Sequence, residues 1–207
     1  MMSSQYSIRL ITETDVNDVL EIYKPYVLHT IISFEYEVPT TEEFLQRIKT
    51  NTAEYPWLVC LEDNKIVGYT YASKHRYRTA YQWSSESTIY LSPEMHGKGM
   101  ARILYETLFA ILRLQGYFNV YAGIGLPNGK SVGFHRSLGF EEIGIFKKVG
   151  YKLGNWHDTH WFQLQLMDHI ANPPTPKKIN EVVNGSAFQS IMATANEGYP
   201  PGRLMKE

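Results

Sequence analysis

The chain has 207 residues, 43% hydrophobic and 20% charged, with a formal net charge of -1 and a single cysteine. This fits one well-buried domain with room for an appendage. It excludes an intramolecular disulfide, and the near-neutral charge gives no electrostatic footprint for nucleic acid or an anionic membrane.

No run of residues is long and apolar enough to span a bilayer. Met1-Met2-Ser3-Ser4-Gln5 lacks the charged-then-apolar order of a secretory signal, so a cytoplasmic location is the default expectation. Ser7-Ile8-Arg9-Leu10-Ile11 alternates as a strand does. A helix is predicted over about 15–28, with Val16, Leu20, Tyr23 and Val27 on one face and Pro25 expected to kink or shorten it. Thr40 and Glu43 have capping-box spacing ahead of Phe44, Leu45 and Ile48, which predicts a second helix. Strands are predicted at 57–62 and 65–74, turning at Glu62-Asp63-Asn64-Lys65, and at about 83–91. Cys60 lies inside the first of these, where a packed thiol is the expected reading and a nucleophile the lesser one.

The next segment carries chemistry. His96-Gly97-Lys98-Gly99-Met100-Ala101 sits between that strand and an amphipathic helix defined by Ile103, Leu104, Leu108, Ile111 and Leu112 and closed by Gly116. Two glycines let a backbone approach a ligand closely. A helix N-terminus offers unpaired amides and about half a positive charge, so the segment reads as a pyrophosphate cradle. A plain strand-to-helix turn is the bland alternative. A strand at 120–125 follows, then a short helix that Asn128 caps and Gly139 closes, carrying Ser131, Phe134, His135 and Leu138. Strands near 140–150 and 156–166 finish an α/β order with a mixed sheet. Asn172-Pro173-Pro174-Thr175-Pro176 reads as a linker. The composition of 177–207 favours a mobile tail, with packing onto the domain or a partner subunit as the other reading.

With these elements in place, the chain resembles the GCN5-related N-acetyltransferase superfamily. It is more closely similar to its phosphinothricin and methionine sulfoximine acetyltransferase branch. The likeness rests on the 96–101 loop, in which His96 departs from the usual Gln or Arg. It also rests on Tyr55-Pro56-Trp57-Leu58-Val59, Ala80-Tyr81-Gln82-Trp83, Glu86-Ser87-Thr88, Ile124-Gly125-Leu126-Pro127-Asn128 and the run from Gly150-Tyr151-Lys152 through Gly154 to Trp156-His157-Asp158. It covers roughly 7–166, so 1–167 is expected to be the acetyltransferase domain and 168–207 an extension.

The resemblance implies a mixed twisted central sheet of about six to seven strands flanked by helices. It implies acetyl-CoA as donor, direct transfer to an amine without an acyl-enzyme, and a homodimer. Ile89, Tyr90 and Leu91 would pair with the pantetheine arm. Gly97, Lys98, Gly99, Met100 and Ala101 would hold the pyrophosphate, and Asn128 and Ser131 the far side of the arm. Glu86 stands where the branch places its base; as a lone strand-end glutamate it would simply face solvent. His135 stands where the branch has histidine, to protonate the leaving thiolate or assist Glu86; otherwise it is a capping or core histidine. A backbone amide near Thr88 or Ile89 would receive the oxyanion. Arg76 and Arg78 would bind an acceptor anion, with Tyr81 and Phe34 lining the pocket; as a bare charge run 74–78 would face water. His157, Asp158 and His160 invite a metal reading, but their spacing and lack of a further ligand argue against it, so no metal is expected. The branch uses Trp156 and Asp158 for a dimer contact or pocket wall.

The expected function is therefore acetylation of the α-amine of a small amino-acid-like acceptor such as phosphinothricin, methionine sulfoximine or methionine sulfone, with detoxification as the role. Two other readings are an acetyltransferase for another small amine or a protein amine, and a non-catalytic acyl-CoA sensor. The two arginines argue against a polycationic acceptor, and Glu86 with His135 against a sensor.

Overall fold

The computed structural model describes residues 5–197. One seven-stranded sheet runs through it in the order β1-β2-β3-β4-β5-β7-β6. The strands are β1 (Tyr6–Leu10), β2 (Trp57–Glu62), β3 (Lys65–Lys74), β4 (Ser84–Leu91), β5 (Asn119–Leu126), β6 (Glu141–Lys152) and β7 (Asn155–Gln165). All neighbours are antiparallel except β4 and β5. The mixed sheet follows from a crossover through the third helix, because only parallel neighbours need one.

Helices α1 (Val16–His29) and α2 (Thr41–Thr52) cover one face, over Trp57, Val59, Tyr69 and Tyr90. Helix α3 (Met100–Gln115) covers the other, over Leu58, Cys60, Val120 and Phe162, with α4 (Gly129–Ser137) beside it. Thr40 and Glu43 form the expected capping box. Pro25 does not shorten α1, which continues to His29. Its missing N–H falls opposite the carbonyl of Glu21, an exposed residue on the outer side of the helix. Cys60 is packed against Met100, and burial pushes its thiol up to about 12, so it is no nucleophile at neutral pH.

The segment after Met167 is not a mobile tail over its described length. It holds α5 (Ile179–Val182) and α6 (Ser186–Glu197), and Ile179, Val182 and Phe188 join the α3 core. The Gln115 side-chain amide donates to the carbonyls of Glu54 and Lys177, fastening the linker. The side chain of Asn196 accepts from Ile8 N–H and donates to Ile8 C=O, at 2.8 and 3.1 Å. It thereby pairs the outer edge of β1, which would otherwise offer open hydrogen-bonding groups. Residues 198–207 of the extension lie outside the described residues.

Strands β4 and β5 pair only at Ser84–Asn119, Ser85–Val120 and Glu86–Tyr121. Beyond Glu86 they separate: β4 continues against β3 to Leu91, and β5 continues against β7 to Leu126. Among the described residues the facing backbone edges of 87–91 and 122–126 therefore have no strand partner on that side.

Candidate active site

The open edge of β4 leads straight into the glycine turn. Gly97 has φ +75° and Gly99 φ +79°, conformations that side chains rarely adopt, and an added Cβ would meet nothing within 4 Å at either. Glycine is needed here for backbone direction, and the space beside it is open. Among the described residues the amides of Gly97, Gly99, Met100 and Ala101 have no protein acceptor. They sit at the N-terminus of a sixteen-residue helix. This is the donor set a pyrophosphate needs. His96 faces away from it: Nε2 lies 3.0 Å from the Tyr26 hydroxyl, which donates to Leu91 C=O.

Glu86 is the last β4 residue paired with β5, and its side chain is 30% exposed on the α1 face. Its partner is His75, whose Nδ1 lies 2.9 Å from Oε1. His75 stacks on Tyr121, with Tyr81 and Trp161 edge-on to it. Neither His75 nor Trp161 stood out in the sequence. The signal was the antiparallel register: Ser73 faces Glu86, so residue 75 is two positions along the same side. Trp161 lies over Gly123, and its buried indole N–H has no hydrogen-bond partner among the described residues.

The same face continues to Phe34. An added Cβ on Gly150 would overlap the Phe34 ring at 2.3 Å, and one on Gly125 would strike the Ile31 carbonyl at 2.6 Å. Two glycines thus let the 30–36 loop lie directly on the sheet. Buried Lys152 anchors that loop by donating to the Val27 and Ser33 carbonyls, each at 2.6 Å. Burial pulls its ammonium below the usual lysine range, with Glu35 working the other way. Arg76 and Arg78 are exposed beside Tyr77 and hold no protein partner among the described residues. Tyr81 is half-exposed.

His135 is not brought to Glu86. It is 4% exposed on the α3 face, among Tyr105, Phe134, Phe140 and Phe162. Nδ1 lies 2.8 Å from the Ser131 carbonyl and so carries the hydrogen; Nε2 lies 3.4 Å from the Tyr105 hydroxyl. Burial lowers its basicity, partly offset by the Ser131 carbonyl, so the ring is neutral at pH 7. The Tyr105 hydroxyl also meets Ser87, which gives His135 an indirect link to β4. Asn128 accepts from Ser131 N–H as the α4 cap. Beside it a wide groove of about 580 Å³ runs between Leu126, Pro127, Asn128 and Trp156.

Among the described residues no group of three or more His, Cys, Asp or Glu side chains could hold a metal ion. His157 contacts the Lys152 carbonyl, and His160 pairs with Glu142. Asp158 accepts from Lys148 N–H and from Lys147, contacts that hold its carboxyl below the usual range. It fixes the β6 bulge where Lys148 has φ 49°.

Residues 8–161 match the family model of the acetyltransferase (GNAT) domain. The chain is 34% identical over 169 residues to phosphinothricin N-acetyltransferase of Streptomyces viridochromogenes, covering 82% of this chain and 91% of the relative. It is 32% identical to the L-methionine sulfoximine/L-methionine sulfone acetyltransferase of Salmonella typhimurium, covering 80% and 97%. A phosphinothricin acetyltransferase from Sinorhizobium meliloti, solved in complex with acetyl-CoA, superposes with a TM-score of 0.78 at 35% identity, covering 84% and 94%.

Proposed function

This chain belongs to the GNAT acetyltransferase family. From that premise we propose that it moves the acetyl group of acetyl-CoA onto the α-amine of a small amino-acid-like acceptor such as phosphinothricin, methionine sulfoximine or methionine sulfone. The observation that carries this reading is the position of Glu86. An ionisable carboxylate stands where β4 and β5 part, on the sheet face that also bears Phe34, Tyr121 and Trp161.

Acetyl-CoA supplies the activated acetyl group. The open edge at Ile89, Tyr90 and Leu91 suits the pantetheine amides, and the amides of Gly97, Gly99, Met100 and Ala101, which have no protein acceptor among the described residues, suit the pyrophosphate. Asn128 and Ser131 stand on the opposite side of the gap. An α-ammonium with a pKa of about 8 costs roughly 1.4 kcal/mol to deprotonate at pH 7. Glu86 takes that proton on Oε2, directly or through water. The Thr88 and Ile89 backbone is the nearest source of an amide for the developing oxyanion. Arg76 and Arg78, both without a partner among the described residues, receive the acceptor's anionic groups, and Phe34 and Tyr81 flank its side chain. His135 supports β4 through Tyr105 and Ser87 rather than acting as the acid: its one hydrogen is committed to Ser131, and a thiolate of pKa about 8.5 leaves with little help.

The catalytic domain is assigned to 1–167 and a bracing role to the described part of the extension, 168–197. Exposed apolar side chains along the β6–β7 hairpin, including Ile143, Phe146, Val149 and Trp156, support a homodimer; a monomer by sedimentation at micromolar concentration would remove it. The role is detoxification of amino-acid analogues in the cytoplasm.

The direct test is thiol release from acetyl-CoA with a panel of acceptors: phosphinothricin, methionine sulfoximine, methionine sulfone, ordinary amino acids and spermidine. Fast release with one of the first three is expected. Release with spermidine alone would overturn the acceptor assignment.

A further inference from the structure

Among the described residues Glu86 has one side-chain partner, and its geometry is unusually constrained. The register sets Ser73 against Glu86, so His75 emerges on the same face just past the end of β3. Its ring lies flat on Tyr121, with centroids 4.2 Å apart and planes 11° apart. Tyr81 meets it edge-on at 6.1 Å and Trp161 at 6.4 Å. Its side chain is only 11% exposed. An ionised carboxylate has no hydrogen to give, so at 2.9 Å Nδ1 is the donor and Oε1 the acceptor. Glu86 Oε2 and His75 Nε2 have no protein partner among the described residues.

We propose that His75 is the positioning residue of Glu86. Held by three aromatic rings, it donates from Nδ1 to Oε1 and leaves Oε2 turned to the acceptor's ammonium. The proposal rests on Glu86 being the base. A strand-end glutamate left to itself samples several rotamers, few of which place an oxygen against the amine. Placement matters steeply, because an error of about 1 Å in a reacting group costs on the order of 10²-fold in rate. Lys74, one residue earlier, points to the other face, toward Glu54, so it does not duplicate the contact.

Steady-state kinetics of His75→Phe and His75→Asn separate the hydrogen bond from the ring. Phenylalanine keeps the stack and loses the donor; asparagine loses the stack and puts an amide N–H close to the place of Nδ1. With His75→Phe, kcat is expected to fall about 10–100-fold, while the KM for acetyl-CoA stays within about twofold. His75→Asn is expected to recover to within about fivefold of the natural chain. The reverse order, with Phe near normal and Asn impaired, would reduce His75 to a packing residue and overturn the proposal.

Glu86→Gln and the double variant complete a cycle. Adding His75→Phe to Glu86→Gln is expected to cost nothing further, because the histidine acts through the carboxylate. Additive losses would overturn the proposal. If Glu86→Gln alone retains full rate, the base assignment falls and this inference with it. If Glu86→Gln is slow and His75→Phe is not, the inference alone falls. Should Phe at 75 fail to fold, His75→Ala takes its place in the cycle, with acetyl-CoA binding as the check of folding.

Discussion

Glu86→Gln is expected to lower kcat about 10²–10⁴-fold at pH 7, the span of a positioned general base. Acetyl-CoA affinity should stay unchanged. Glutamine has the same shape and still offers Oε1 to His75 Nδ1, so the local packing survives. What it cannot do is take a proton. The groups proposed to hold acetyl-CoA are backbone edges and amides at 89–91 and 97–101, none of which the substitution touches. The deficit should shrink as pH rises past about 8, where an α-amine becomes neutral without help. Thiol release measured from pH 6.5 to 9.5, with calorimetric titration of acetyl-CoA, checks both halves. An unchanged rate at pH 7 would remove Glu86 as the base.

Phe188→Ala is the second large effect, and it falls on stability. Phe188 lies on α6, is 3% exposed and belongs to the α3 core. Truncating a buried phenylalanine removes its transfer energy and leaves a cavity, for a cost of about 3–5 kcal/mol. In a chain of this size each kcal/mol moves Tm by roughly 2–4 °C. Thermal unfolding should therefore shift down by about 6–20 °C, with kcat and KM at 20 °C unaltered. A loss below about 1 kcal/mol would mean that the extension is not part of the core. Such a result would contradict the role of Asn196, which closes the β1 edge at Ile8 from the next turns of the same helix.

The extension shows where local pattern stops being informative. Residues 177–207 carry little periodicity, because α6 buries only Phe188 and Ala195 and leans on α3 for the rest. Such a helix draws its stability from packing against the rest of the domain more than from its own propensity. The central helix behaves in the opposite way. Leu104, Leu108, Ile111 and Leu112 are fully buried, and their spacing alone defined α3 and its end at Gly116.

The site divides along the same line. Gly97 and Gly99 were legible because a positive φ imposes a residue type at a fixed place in the chain. Glu86 and His135 were both found, but their relation was not. Strand alternation sets Glu86 on the α1 face, whereas α4 delivers His135 to the α3 face, among Phe140 and Phe162. His75, buried in a run of cations, reads as part of a solvated loop until β3 and β4 are in register.

By itself, then, the sequence determined the order of strands and helices as far as β7, the glycine turn and the carboxylate beside it. Each of these is encoded by neighbours within a few residues, through periodicity, capping or backbone conformation. Only the tertiary structure decided that β4 and β5 part after Glu86, that His75 rather than His135 holds Glu86, and that the extension completes the core. Those facts depend on which residues, far apart in the chain, the packed sheet and helices bring within hydrogen-bonding or van der Waals reach.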